Sequence, residues 1–196
     1  MTSLVREHLN GTAATIQKVL ADEAILSTVA AAAEATAASM LKGGKLLVAG
    51  NGGSAADAQH LVAEFVCRLV HDRAAMRAVA LTVDSSNLTA IGNDLGFDRL
   101  FSRQIEALGA EGDVFFGIST SGNSPNILSA IDEAKKRGML TIGFTGKDGG
   151  RMTGLCDFTV TIPSSITAHI QECHLALEHV FCAMTERCYF EGQKQS

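Results

Sequence analysis

Hydrophobic positions along the chain follow two regimes. Over residues 3 to 42, Leu9, Ile16, Val19 and Leu20 recur at helical spacing, and Gly43-Gly44 supplies a stop. Beyond that point the pattern switches to short apolar runs: KLLVAG (45–50), AVALTV (78–83), DVFFGIS (113–119), LTIGFTG (140–146) and DFTVTI (157–162). Runs this continuous predict strands covered on both faces rather than half-exposed ones. The stretches between them are long enough for crossover helices. The predicted class is therefore α/β, a doubly wound, five-stranded parallel sheet. Residues 167 to 189 predict a long closing helix, and only Pro125 and Pro163 are available to interrupt helices. One domain over 1–196 is expected, with a helical segment (1–42) ahead of an α/β core and C-terminal helix (43–196).

Ligands of such sheets bind beyond the carboxyl ends of the strands, so the loops after the first and third runs matter most. After the first, Gly50, Gly52 and Ala55 match G-x-G-x-x-A, a weak dinucleotide fingerprint. Asp84, near the end of the second run, stands where a ribose-binding acid would. Against that reading, Asn51 and Ser54 bring side-chain donors into the loop, and the next helix carries His60 and Glu64 on one face. The loop after the third run, ISTSGNSPNI, offers Ser119, Thr120, Ser121, Asn123 and Ser124. Ser124-Pro125 is a strong helix start, and a cap with a turn is the plain explanation. Four hydroxyls within residues 119–124 exceed the needs of one cap, however. The free N–H groups and positive dipole end of a helix can hold a phosphate there without any lysine.

His60 and Glu64, at i and i+4, form half a zinc site. Taken alone they read equally well as a solvated helix face with Glu64 paired to Arg68. Gln171 and His179, singled out by family resemblance and not by spacing, lie eight residues apart, about 80° around a helix, so both can face one cleft. His174, three residues from Gln171, satisfies the same periodicity. Glutamine is a weak zinc donor. Asn93-Asp94, in TAIGNDLGF, reads as a turn with an aspartate at a helix start.

Composition narrows the classes. With 46 % apolar and 19 % charged residues in 196, a folded globular chain is expected. A net charge of −5 without any Lys/Arg run argues against nucleic acid as partner. MTSLVREHLN lacks the apolar core of a secretory signal. The alanine-rich residues 24 to 40 are broken by Glu34 and several Ser and Thr, so no bilayer-crossing stretch and no membrane partner are expected. Five cysteines, an odd set without a CxxC pair, fit reduced thiols in the cytoplasm.

Taken together, AGNGGSAADAQHLVAEF, TAIGNDLGF, ISTSGNSPNIL and IQECHLALEH resemble sugar isomerase (SIS) domains, and among them the phosphoheptose isomerases, from about residue 5 to about residue 190. The resemblance implies a flavodoxin-like SIS fold, a homotetramer and a cytoplasmic enzyme with one zinc ion per subunit. The implied reaction converts sedoheptulose 7-phosphate to D-glycero-D-manno-heptose 7-phosphate, for bacterial surface heptose. Implied zinc ligands are His60, Glu64, Gln171 and His179, with Glu64 and His179 as acid–base groups. Implied substrate contacts are Asn51, Gly52, Gly53, Glu64, Asn93, Asp94, Ser119, Thr120, Ser121, Ser124 and Gln171. Non-catalytic relatives set the alternatives: a protein that binds the replication initiator DnaA, and sugar-phosphate-binding regulators. Glu64 and His179 are both present, which favours the enzyme. The chemistry agrees, since shifting a carbonyl between neighbouring carbons needs a base, an acid or shuttle, and a means of steadying an oxyanion.

Overall fold

A computed structural model describes residues 1–69 and 72–193. In chain order the elements are α1 (Thr2–Leu20), α2 (Glu23–Leu41), β1 (Leu46–Gly50), α3 (Gly53–Val66), β2 (Ala78–Ala80), α4 (Ser85–Asp94), α5 (Ser102–Leu108), β3 (Val114–Ser119), α6 (Pro125–Lys136), β4 (Leu140–Gly146), β5 (Phe158–Ile162) and α7 (Thr167–Gln193). Among the described residues the five strands form one parallel sheet in the order β2-β1-β3-β4-β5. That is the flavodoxin-like order, whose strand sequence reverses between β1 and β3.

Alternation along each strand divides the core between two faces. Leu46 and Val48 of β1, with Phe116, Ile118, Ile142 and Phe144, meet side chains of α1, α2, α3 and α7. Leu47 and Ala49, with Phe115, meet Ile91, Ile105, Ile127 and Ile131 of α4, α5 and α6. Both faces are therefore covered, as the unbroken apolar runs require.

Three expectations change in detail. The helix expected over 3–42 is two helices. It breaks at Ala21-Asp22, where Asp22 Oδ1 accepts from the N–H groups of Ala24 (3.0 Å) and Ile25 (3.2 Å) and so starts α2. The second strand keeps only Ala78–Ala80, because it lies at the sheet edge with Val79 38 % exposed. By length and composition alone, α2 is long and apolar enough to cross a bilayer, contrary to the expectation for residues 24 to 40. Its hydroxyl groups do not break that character, because Thr28 and Thr36 donate to the carbonyls of Ala24 (2.7 Å) and Ala32 (2.8 Å) one turn back. In the fold, α2 buries Ile25, Val29, Ala32, Ala33 and Ala37 and packs on α7 and β5.

His174 belongs to this core. It is fully buried on α7, its Nε2–H donates to the Thr145 carbonyl (2.9 Å), and its ring tilts onto Phe144 at 5.6 Å. Periodicity left it open as a ligand, but the structure gives it a structural role. Burial pushes its pKa down to about 4, against a smaller opposing effect of the bond to Thr145. The unfolded chain, with an ordinary histidine near pKa 6.5, then binds the extra proton between the two values. Stability is thus intact above about pH 6.5 and declines toward pH 4, by on the order of 3 kcal/mol. Urea midpoints should fall between pH 7 and pH 5, with a flatter profile in His174→Gln. Parallel profiles for the two proteins would refute this account.

Candidate active site

The glycine cluster after β1 answers to close packing. A Cβ on Gly50 would stand 2.3 Å from the Ser54 carbonyl oxygen, and one on Gly53 would stand 2.5 Å from Gln171 Nε2. Gly52, at φ +57°, precedes α3 in a backbone conformation that side chains disfavour. The dinucleotide reading loses its acid: Asp84 accepts from Asn87 N (3.0 Å) and Asn87 Nδ2 (2.9 Å) and so caps α4.

The loops after β1 and β3 are joined by a reciprocal amide pair. Asn51 Nδ2 donates to Asn126 Oδ1 (2.9 Å), and Asn126 Nδ2 donates to Asn51 Oδ1 (2.8 Å). Asn126 is 1 % exposed. In the second loop Ser124 occupies the cap position of α6, yet its side chain makes no capping bond. Its Oγ lies 2.9 Å from Ser119 Oγ instead. The plain cap reading therefore leaves this hydroxyl unexplained. Thr120 and Ser121 are half-buried beside it. The loop after β4 closes over the turn: Arg151 N donates to Asn123 Oδ1 (3.1 Å) and Met152 N to the Gly122 carbonyl (3.0 Å). A Cβ on Gly150 would stand 2.4 Å from the Ser121 carbonyl oxygen. Asn126 and Gly150 are site-building residues that the sequence reading did not single out. The asparagine in the first turn after Pro125 and the glycine pair after the fourth apolar run were their only signals.

Helices α3 and α7 run side by side in the same direction. Gly53 meets Gln171, Phe65 meets Phe181 (ring centroids 6.1 Å), and His60 meets His179. At this seam His60 Nε2 and His179 Nε2 are 2.8 Å apart, and Glu64 Oε1 is 3.4 Å from His60 Nε2. One donor atom from each of the three residues lies within 4.8 Å of the others. The surface-pair alternative fails, since Glu64 turns toward His60 while Arg68 pairs with Asp72 at 3.8 Å. Gln171 faces the same seam at the level of Gly53, about 12 Å along α7 from His179. Asn93 and Asp94 end α4 rather than starting a helix. Both are exposed, with Asn93 Nδ2 donating to Asp94 Oδ1 (2.6 Å), and among the described residues neither hydrogen-bonds to the seam. His71 lies outside the described residues.

Two further acids crowd the seam. Burial pushes Glu178 up to about 8, reinforced by the charge of Asp57. Burial also raises Asp57, against the pull of His60. Both Glu178 oxygens and Asp57 Oδ2 have no hydrogen-bond partner among the described residues. Two imidazoles and a carboxylate, backed by unpartnered acids, suit a divalent cation.

A family model described as SIS domain matches residues 7–146. A phosphoheptose isomerase of Burkholderia pseudomallei (strain K96243) is 57 % identical over 175 residues, 89 % of each chain. The chain belongs to the phosphoheptose isomerase family of SIS domains. The solved phosphoheptose isomerase of Neisseria gonorrhoeae superposes with a TM-score of 0.89 at 41 % identity, covering 95 % of this chain and 98 % of its own. That of Francisella tularensis gives 0.90 at 35 % identity, covering 95 % and 100 %.

Arg73 fastens the SIS seam at its far end. Its Nε donates to Glu186 of α7 (2.8 Å), while Nη1 and Nη2 donate to the carbonyls of Phe65 (2.7 Å) and Glu64 (2.6 Å) in the last turn of α3. The pair is nearly buried, at 6 % and 11 % side-chain exposure. Arg73→Met should destabilise the fold by about 3–5 kcal/mol by leaving Glu186 uncompensated. Arg73→Lys should recover only part, because lysine cannot bridge the carboxylate and the carbonyls with one planar group. Chemical denaturation measures both, and a loss below about 1 kcal/mol in Arg73→Met would contradict the clamp.

Proposed function

We infer that this chain is an aldose–ketose isomerase converting sedoheptulose 7-phosphate to D-glycero-D-manno-heptose 7-phosphate, the first step toward bacterial ADP- or GDP-heptose. The observation that carries this reading is the meeting of Glu64 with the His60–His179 pair across two helices, in a fold whose loop after β3 is lined with hydroxyls. Relatives named phosphoheptose isomerase at 57 % and 45 % identity support it.

In the proposed reaction the Glu64 carboxylate removes a proton from C1 of the ketose. The C1–C2 bond becomes the double bond of an enediol, and the C2 carbonyl oxygen takes up a proton. Return of a proton to C2, with loss of the O1 proton, leaves the carbonyl at C1. His179 shuttles the oxygen-bound proton. Ser119, Thr120, Ser121 and Ser124, with the start of α6, hold the phosphate. Asn51, Gly52, Gly53, Asn93, Asp94 and Gln171 are the remaining proposed contacts. The donor set fits one zinc ion held by His60, Glu64 and His179 with Gln171 alongside. Such an ion would polarise the substrate oxygens.

The whole chain, 1–196, is proposed to act as one SIS domain, in the cytoplasm and without nucleic-acid or membrane partners. The proposed homotetramer rests on the family resemblance, and the apolar groove that Ile16, Leu20, Leu26, Ala176, Val180 and Met184 form between α1, α2 and α7 is a surface that contact between copies would cover.

Incubation with sedoheptulose 7-phosphate should yield the aldose, with activity lost on chelation and restored by zinc. Glu64→Gln should lower kcat by at least about 100-fold while sugar-phosphate binding stays measurable. Turnover like that of the parent protein would defeat the base assignment. Ser124→Ala should mainly raise KM, and a fall in kcat with KM unchanged would count against a ground-state phosphate contact.

A further inference from the structure

A second group of metal-ligating side chains sits on the outer side of α7, where α1 crosses its first turns. His8, His169 and Glu172 bring one donor atom each to within 4.8 Å of the others. His8 Nε2 lies 2.6 Å from Glu172 Oε1, and Thr12 Oγ1 donates to Glu172 Oε2 at 2.5 Å. His169 stands edge-on to His8, with ring centroids 5.1 Å apart. It is 6 % exposed, yet its imidazole makes no hydrogen bond among the described residues. Its ring nitrogens are not sealed off, since the ring borders an open cavity, so a lone pair is available to a ligand there.

The backbone is shaped to admit this ring. Gly11 lies in the middle of α1, where glycine costs roughly 1 kcal/mol relative to alanine. A Cβ there would stand 2.3 Å from His169 Cε1 and 2.9 Å from Nε2. The missing Cβ at Gly11 lets the His169 ring approach the His8–Glu172 pair, and a cation would engage all three side chains together.

We propose that His8, His169 and Glu172 form a second site for a divalent transition ion of the zinc type, separate from the isomerase seam, which staples α1 to the first turns of α7. Two imidazoles with one carboxylate are a donor set that zinc accepts. Thr12 fixes the unused carboxylate oxygen, as hydrogen bonds behind metal ligands commonly do. An open cavity beside His169, bordered by Gly11, Thr15, Ser164 and Ile166, gives the ion a route in. Glu172 adjoins Gln171, so the staple would also steady the turn that carries Gln171 into the seam.

Equilibrium dialysis of the full chain against Zn2+, with Co2+ absorption as an independent readout, tests the proposal. The parent protein should bind two equivalents per chain. His8→Gln, at an exposed position, and His169→Gln should each lose one equivalent and keep the other. His60→Gln should lose the other equivalent and keep the first. Thr12→Val should weaken the second equivalent by about tenfold. Zinc stoichiometry and affinity unchanged in both His8→Gln and His169→Gln would overturn the proposal. A single equivalent lost only in His60→Gln would do the same while leaving the isomerase reading standing. One equivalent lost in His8→Gln but kept in His60→Gln would uphold the staple and remove the metal from the isomerase site.

Discussion

The parallel docking of α3 on α7 is the constraint on which the rest depends. Neither helix carries a complete constellation: α3 supplies His60 and Glu64, and α7 supplies His179. Their donor atoms converge only because the helices are held in register. Phe65 packs on Phe181 beneath the donors, and Arg73 binds the end of α3 to Glu186. A shift of one helical turn, about 5.4 Å, would separate the two imidazoles altogether. Burial raises the Asp57 and Glu178 carboxyls toward their neutral forms, and Asp57 Oδ2 and both Glu178 oxygens stay without a hydrogen-bond partner among the described residues. Buried carboxyl oxygens without partners are costly to a bare protein, and a nearby cation would favour their charged forms.

The sheet then places this seam beside the hydroxyl-lined turn. Strand order reverses between β1 and β3, so the loops that follow them open at the same edge. The Asn51–Asn126 pair locks them together through two hydrogen bonds, with Asn126 buried and Asn51 half-buried. With that lock in place, Ser119 and Ser124 face each other instead of serving the helix backbone. The site is thus preorganised by amide geometry on one side and by helix packing on the other.

Much of this was legible in the sequence, for definite reasons. Continuous apolar runs marked all five strands, since burial on both faces leaves no polar alternation. The i, i+4 spacing put His60 and Glu64 on one face, and Ser124-Pro125 located the start of α6. The break at Asp22 was not legible, because helical patterning continues on both sides of it and masks a single capping residue. Asp94 was misplaced at a helix start, since its own helix ends there and Asp84 caps the beginning. Arg73 and Glu178 gave no local signal, and Asn126 only its place in the first turn after Pro125. Their roles exist only where segments distant in sequence meet. The choice of His179 over His174 likewise came from resemblance; packing turns His174 inward to the Thr145 carbonyl and brings His179 to His60.

The order of elements along the chain has a consequence for synthesis. α3 emerges from the ribosome early, while α7 follows every strand of the sheet. During translation, His60 and Glu64 therefore lack their counterpart from α7, and Arg73 lacks Glu186. The sheet face that α7 covers also waits for it, because Ile170, Cys173, Leu177 and Phe181 belong to that core. His179 is therefore the last member of the group to be synthesised, and core closure and donor convergence draw on the same helix.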